Sequence, residues 1–277
     1  MSYKSDSHFI IKTKETGLCN SLQALGSVVI AYSGGVDSGL LAYYARRVLG
    51  SKALIVIAIS PSLAQSELDF ARQQAKQFGW DLLEIATGEV EKPEYKANNE
   101  MRCYFCKTEL FQYMQKIALE RGFNYLAYGA NLDDLADFRP GHEAAKEFKV
   151  LSPLQEAQLS KEEIRYLAKE AGLPSWDRPQ AACLSSRFPT FTPITPDKLS
   201  LVDKAETVLK ALGLKQVRVR HYDSEARIEI GTDELAAFLA NKDKQLIATT
   251  RLKELGYKEV IIDPEGYKQG SANIIRH

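Results

Sequence analysis

Residues 28–38 read Val-Val-Ile-Ala-Tyr-Ser-Gly-Gly-Val-Asp-Ser, and this stretch constrains the fold more than any other. Val28 to Tyr32 make a short apolar or β-compatible run of the kind that forms a buried parallel strand. Ser33-Gly34-Gly35-Val36-Asp37-Ser38 ends it. Paired glycines open backbone angles closed to other residues and keep side chains away from a close-lying ligand. Ser38 or Asp37 then caps a helix whose apolar positions include Leu41, Ala45 and Val48. Strand, glycine turn and helix N-terminus together focus backbone N–H groups and a positive dipole end on one point, which suits phosphate or pyrophosphate. No lysine follows the glycines, so this is not a Walker-type loop, and the spacing is not GxGxxG.

The stretch resembles the SGGxDS loop of the PP-loop ATP pyrophosphatases, which cleave ATP between the α- and β-phosphates. That resemblance implies an adenylated substrate with pyrophosphate leaving. It implies ATP and Mg²⁺ held at Ala31, Ser33, Gly34, Gly35, Asp37 and Ser38, with Gly129 closing the site from the end of a later strand. Asp37 is the candidate catalytic residue of the loop, serving Mg²⁺–pyrophosphate or the loop's own geometry rather than proton transfer. A glycine turn that only joins strand to helix is the plainer alternative.

The rest of the first 190 residues repeats the strand–helix grammar. Ala53–Ile59 and Leu82–Ala86 read as further buried strands, Tyr125–Gly129 as a fourth, and residues 67–78 as a helix burying Leu68, Ala71, Ala75 and Phe78. A lead-in helix around Leu18, Leu22 and Leu25 carries Cys19, to which no role is assigned. The expectation is an α/β chain: a parallel-sheet, Rossmann-like PP-loop domain of the adenine nucleotide alpha hydrolase type over 1–190, with ligands beyond the strand C-termini. Asn131–Val150, with Asp133, Asp134, Asp137, Arg139 and His142, reads as a charged active-site loop or a partly mobile one. Ser160-Lys161-Glu162-Glu163 is a capping box. From Thr195 the order becomes αββαβ, which predicts a small α+β domain over 191–277, ferredoxin-like, for substrate binding or oligomerisation.

The 36 basic and 36 acidic residues cancel, which argues against nucleic acid as a partner. No run is long enough to cross a bilayer, and Lys4, Asp6, Lys12, Lys14 and Glu15 interrupt any secretory core, so a cytoplasmic protein is expected. Four cysteines in such a chain invite a metal or catalytic reading rather than a disulfide framework.

Cys103 and Cys106 form a CxxC at a loop-to-helix junction, and Cys183 follows 77 positions after Cys106 in Ala182-Cys183-Leu184-Ser185-Ser186-Arg187. Helix N-termini favour thiolates, hence metal binding or nucleophilic attack. A structural zinc site would need a fourth ligand from His8, His142, His221 or His277. A redox dithiol leaves Cys183 idle. A 4Fe–4S cluster on Cys103, Cys106 and Cys183 leaves one iron open, and beside an ATP-activating loop it is the favoured metal reading.

SGGVDS, RCYFCK, DFRPG (Asp137–Gly141), ACLSSRFP and VRVRHY…ARIEI, in this order along nearly the whole chain, resemble the LarE family of ATP-dependent sulfur transferases. These enzymes act in making the nickel-pincer nucleotide cofactor of lactate racemase. The resemblance implies adenylation of a carboxylate of pyridinium-3,5-biscarboxylic acid mononucleotide, then displacement of AMP by sulfur to give a thiocarboxylate. Its three-cysteine branch passes on a hydrosulfide held by a 4Fe–4S cluster. Another branch sacrifices one cysteine, here Cys183, as sulfur donor. The resemblance also implies a trimer or hexamer, and reloading by sulfide or a cysteine desulfurase.

Arg218 and Arg220 alternate with Val217 and Val219, so on a strand both face one way, about 7 Å apart, as a phosphate or carboxylate would want. Pairing with Glu229 on the next strand is the alternative. Arg187 and Ser186 resemble substrate contacts, with a structural ion pair as the duller option for Arg187, and Glu206 is a weaker candidate for a metal or phosphate site. A PP-loop tRNA thiolase, an amidating synthetase and a nucleotide-sensing zinc protein are the competing functions.

Overall fold

A computed structural model describes residues 3–136, 140–180, 182–268 and 271. Its first half runs helix α1 (Tyr3–Leu25), strand β1 (Val28–Ala31), α2 (Val36–Leu49), β2 (Ala53–Ile59), α3 (Gln65–Gln77), β3 (Leu82–Ala86), α4 (Pro93–Lys96), α5 (Arg102–Arg121) and β4 (Tyr125–Tyr128). There follow α6 (Pro140–Glu147), α7 (Pro153–Glu156), α8 (Lys161–Glu170), α9 (Pro196–Ala211), β5 (Val217–Tyr222), β6 (Glu225–Ile230), α10 (Thr232–Ala240), α11 (Lys242–Glu254) and β7 (Glu259–Ile262). No helix among the described residues is long and apolar enough to cross a membrane.

The chain divides into two compact units. The first takes Met1–Ser60, Glu67–Glu89 and Met101–Ala181, and the second takes Pro61–Ser66, Val90–Glu100 and Ala182–His277. The sequence places the change of grammar near residue 190 and gives residues 61–66 and 90–100 to the first domain. Those two segments join the second unit through backbone pairs: Leu184 N–H to Ser62 O at 2.8 Å, Phe191 N–H to Asn98 O at 2.9 Å and Ile194 N–H to Lys96 O at 3.0 Å. Pairings of that range leave no periodic trace in sequence.

In the first unit, four parallel strands lie in the order β3-β2-β1-β4, the α/β class expected of the chain. Continuous apolar runs suit the two central strands, which are covered on both faces: Val28, Val29 and Ile30 are buried, as are Ala53 to Ile57. The edge strand β3 carries Glu84, which pairs with Arg72 of α3 at 2.6 Å. Phe111 and Met114 of α5 pack with Val29 and Val56 on one face of the sheet. Strand order reverses between β1 and β4, so a crevice for a ligand falls at the C-terminal ends of those two strands.

The segment read as a loop over 131–150 is largely helical: a 3-10 turn over Leu132–Ala136, then α6. Ala144 and Ala145 bury a small-residue stripe in the same core as Phe111, which overrides the charged composition. Asp137, Phe138 and Arg139 of the DFRPG motif lie outside the described residues.

Among the described residues the second unit has three strands, where a ferredoxin-like arrangement has four. β5 and β6 are antiparallel with Arg218 opposite Glu229, and β7 lies parallel to β6. Helices α10 and α11 are separated at Asn241, whose side chain accepts the Lys244 N–H at 2.9 Å and caps α11. Val217, Val219, Ile228 and Leu252 fill the core between sheet and helices.

Candidate active site

The β1–α2 junction builds a tight turn out of its own hydroxyls. Gly34 takes φ +78°, a conformation that favours glycine, whereas Gly35 is extended (φ −76°, ψ 165°) and forms the N-cap without a side-chain bond. The cap expected from Asp37 or Ser38 is therefore not made, because both already lie inside the first helical turn. Ser38 instead folds back. Its hydroxyl accepts the Ser33 N–H at 3.1 Å, meets the Ser33 hydroxyl at 3.0 Å and donates to Gly35 O at 3.3 Å. With the hydroxyls turned inward, Val36, Asp37 and Ser38 present the first N–H groups of α2, which a helix leaves without internal acceptors. Ala31 ends β1 beneath the turn.

Gly129 is required at this junction for a steric reason. A Cβ there would stand 2.6 Å from the Ser38 amide nitrogen and 2.9 Å from the Asp37 carbonyl carbon. The end of β4 thus presses directly on the start of α2, and only glycine permits it.

Asp37 is held from two sides. Its Oδ1 accepts from Asn131 Nδ2 at 3.3 Å, and its Oδ2 pairs with the ammonium of Lys161. Asn131 in turn organises its own segment, its N–H donating to Asp134 Oδ2 at 3.0 Å and its Oδ1 accepting from the Asp133 N–H at 2.9 Å. Asp133 accepts the Lys161 N–H at 2.8 Å. The sequence suggested the capping box of α8, and it forms as expected, with Ser160 and Glu163 satisfying each other's N–H groups. It did not suggest Lys161. One signal was available: a lysine in the first turn of a helix faces the positive end of the dipole, a position that disfavours cations unless something else holds it. The lysine missing from the glycine loop is supplied from 124 residues away.

The three candidate thiols sit on different supports. Cys103 and Cys106 occupy the first turns of α5 three positions apart, on one face, with Cys103 exposed and Cys106 half-buried. Cys183 precedes a 3-10 turn, Leu184–Arg187, in the second unit and is exposed. Cys19 lies half-buried on α1, where burial raises its thiol pKa. Among the described residues, no three or more His, Cys, Asp or Glu side chains lie together as a metal-holding group.

The arginines are buried rather than poised in solvent. Arg187 forms a two-pronged pair with Glu206, Nε to Oε1 at 2.9 Å and Nη2 to Oε2 at 3.0 Å, so its duller option is the one the structure takes. Burial alone would raise the Glu206 carboxyl, but the Arg187 charge outweighs it and holds the group below its ordinary value. Glu206 also accepts the Val219 N–H at 3.0 Å. Arg220 donates to Glu229 at 2.9 Å and to the Ser186 carbonyl at 2.8 Å. Arg218 donates to Val217 O at 2.9 Å and stacks its guanidinium 5.5 Å from the Tyr267 ring. Burial, then repulsion from Arg187, lowers its pKa. Arg187, Arg218 and Arg220 thus lie buried together with the carboxylates of Glu206 and Glu229.

A parallel sheet whose strand order reverses at the SGGVDS turn, with acid and lysine converging on that turn, defines a PP-loop nucleotide-binding protein. No family model matches the chain. An uncharacterized protein of Synechocystis is 44% identical over 264 residues, covering 95% of this chain and 98% of that protein. The pyridinium-3,5-bisthiocarboxylic acid mononucleotide synthase of Lactiplantibacillus plantarum is 33% identical over 264 residues, covering 95% of each chain. An uncharacterized protein of Methanocaldococcus jannaschii is 30% identical over 241 residues, 87% of this chain and 90% of that one. The chain belongs to the LarE family of PP-loop ATP-dependent sulfur transferases.

Proposed function

We propose that the chain adenylates a carboxylate of pyridinium-3,5-biscarboxylic acid mononucleotide and converts it to a thiocarboxylate. The carboxylate oxygen attacks the α-phosphorus of ATP, the bond to the β-phosphate oxygen breaks, and pyrophosphate leaves. A sulfur nucleophile then adds to the acyl carbon and AMP departs with one former carboxylate oxygen. The observation that carries this reading is the Ser33–Ser38 turn with Lys161 on Asp37: N–H groups, a helix dipole and a mobile-stemmed cation address one leaving pyrophosphate. The name of the Lactiplantibacillus relative supplies the substrate.

Asp37 offers the hard oxygen that Mg²⁺ prefers, on a carboxylate only partly buried. The Mg²⁺ would neutralise the departing phosphates, while Lys161 and Asn131 hold Asp37 in place. Arg218 takes the anionic end of the substrate, and Ser186 lines the turn beside it. The thiols Cys103, Cys106 and Cys183 suit a soft metal by donor type, and a 4Fe–4S cluster held by them would supply an iron free of cysteine for sulfur. Cys183 as a consumed sulfur donor is a second reading, favoured by its exposure at the start of a well-bonded turn. A trimeric or hexameric assembly reloaded by sulfide or a cysteine desulfurase completes the proposal.

One anaerobic experiment separates these. Protein is incubated with ATP and the pyridinium dicarboxylate, with and without sulfide, and AMP, pyrophosphate, iron and product mass are read. About four irons per chain and repeated turnover with sulfide support the cluster. Iron-free protein that makes one thiocarboxylate per chain, with Cys183 converted to dehydroalanine, supports the donor. No AMP or pyrophosphate would sink the adenylation itself.

A further inference from the structure

The glycine turn has a second ion pair beside it, one that the adenylation chemistry does not use. Glu67 stands in the first turn of α3, and its carbonyl oxygen lies 3.6 Å from where a Cβ on Gly34 would stand. The Ala71 methyl is 3.5 Å from the same point. Helix α3 opens shortly after β2 ends, so this first turn stands at the ligand end of the sheet. Arg178 reaches Glu67 from 111 residues further on, Nη2 to Oε1 at 2.9 Å. The segment that carries Arg178 is fixed. Arg165 of α8 donates to the carbonyls of Trp176 at 2.6 Å and Arg178 at 2.9 Å. Ser175 is fully buried, with its hydroxyl 3.3 Å from where a Cβ on Gly39 of α2 would stand. The segment therefore touches both helices that meet at the turn.

The guanidinium itself is held flat. Arg178 Cζ lies 3.7 Å from the centroid of the Phe70 ring, and stacking of this kind leaves the edge N–H groups to other partners. Its charge reaches the hydroxyl of Tyr32, the residue before Ser33, and opposes the rise that burial imposes on that phenol. A guanidinium carries five N–H donors. Among the described residues Arg178 makes one hydrogen bond, to Glu67, whereas Arg187 commits its Nε, Nη1 and Nη2 groups to Glu206 and backbone. Exposure follows the same division. Arg178 and Glu67 keep 30% and 16% of their side-chain surface, close to the 33% and 20% of Lys161 and Asp37. A pair so placed adds little to stability and stays within reach of an arriving anion.

We propose that Arg178 is a further phosphate-contacting residue of the glycine turn, meeting the triphosphate of ATP and the pyrophosphate it releases from the Gly34 side, as Lys161 does from the Asp37 side. Glu67 and Phe70 are its positioning residues. The carboxylate takes one Nη2 hydrogen and the ring takes the guanidinium face, which leaves an edge of the fork for two phosphate oxygens. The assignment rests on the adenylation reading in taking ATP as the ligand of this turn, and it is independent of how sulfur is delivered.

The test is calorimetric titration of the full-length protein with ATP, pyrophosphate and adenosine in the presence of Mg²⁺, without the pyridinium substrate. Arg178→Met should weaken ATP and pyrophosphate about tenfold and leave adenosine unchanged, because only the phosphates meet the guanidinium. Arg178→Lys keeps the charge without the fork or the stacking, and should still lose about threefold. Phe70→Leu leaves Arg178 in place without its support and should also lose about threefold for the same two ligands. The melting temperature without ligand should move little in the two Arg178 variants, as for other partly exposed pairs. ATP affinity equal to wild type in Arg178→Met, or an equal loss for adenosine, would overturn the assignment. Should Arg178→Met fail to fold, Arg178→Lys decides by the same comparison. Wild-type protein that binds ATP yet forms no AMP once the pyridinium dicarboxylate is added would sink the adenylation reading and leave these affinities as they are, so the two failures are told apart.

Discussion

The glycine turn of the first unit and the cysteine turn of the second use charge in opposite ways. Asp37 and Lys161 keep 20% and 33% of their side-chain surface in solvent, and their partners are single bonds that an arriving phosphate or cation can take over. Arg187 and Glu206 keep 3% and 2%, are joined by two bonds, and also carry backbone groups. Exposed pairs are worth little to stability and exchange readily, whereas buried pairs lose heavily when broken from one side. A charged residue in a motif therefore serves a ligand or the fold according to how completely its hydrogen bonds are already spent. By that measure the Asp37–Lys161 pair stays open to exchange, whereas the Arg187–Glu206 and Arg220–Glu229 pairs are built into the interior of the second unit.

The sharpest way to break this contrast is Glu206→Ala. It strands the Arg187 guanidinium in the interior and should cost about 3–5 kcal/mol, read as a loss of midpoint in denaturant at unchanged slope. A loss below about 1 kcal/mol would place the Arg187 pair in the exchangeable class. The next effect is a pH dependence confined to the second unit. His221 is buried beside Phe188 and Tyr257, and burial, aided by Lys198 and opposed by Asp223, lowers its pKa from 6.5 to about 4. The unfolded chain then binds more protons between those values, so stability is full above pH 6.5 and falls as pH drops towards 4, by at most about 3 kcal/mol. His221→Phe should flatten stability across that window. A wild-type protein equally stable at pH 4.5 and 7 would show that the histidine protonates in place.

How much of this was legible depended on whether the determining contact was local. The run Val28–Tyr32, the glycines after it and the box at Ser160–Glu163 are decided within a few residues, and each reads directly. Alternation along Val217–Arg220 correctly puts both arginines on the face opposite the valines that enter the core. What occupies Arg220 is set by register and by distant segments: Glu229 across the strand pair, the Ser186 carbonyl, and Ser271 near the end of the chain. The same limit hid Lys161, and it hid the adoption of residues 61–66 and 90–100 by the second unit. The charged stretch over 140–147 misled because two alanines, not its charges, decide its burial.

The two smaller effects sharpen the contrast on the exchangeable side. Gly129→Ala places a methyl against the backbone of Ser38 and should push the turn off β4 at a cost of about 1–3 kcal/mol, felt as weaker ATP binding and slower AMP formation. Calorimetric ATP affinity equal to wild type would mean that β4 does not position the loop. Lys161→Met keeps the aliphatic stem and removes the cation that Asp37 and a departing pyrophosphate would share. Because the pair is partly solvated, melting should shift little, as for other exposed pairs. ATP affinity should fall about tenfold, or about 1.4 kcal/mol, and Lys161→Arg should restore most of it. The reverse pattern, a clear loss of stability with unchanged ATP affinity, would move Lys161 into the frame and leave the glycine turn to hold the phosphates with N–H groups and helix dipole.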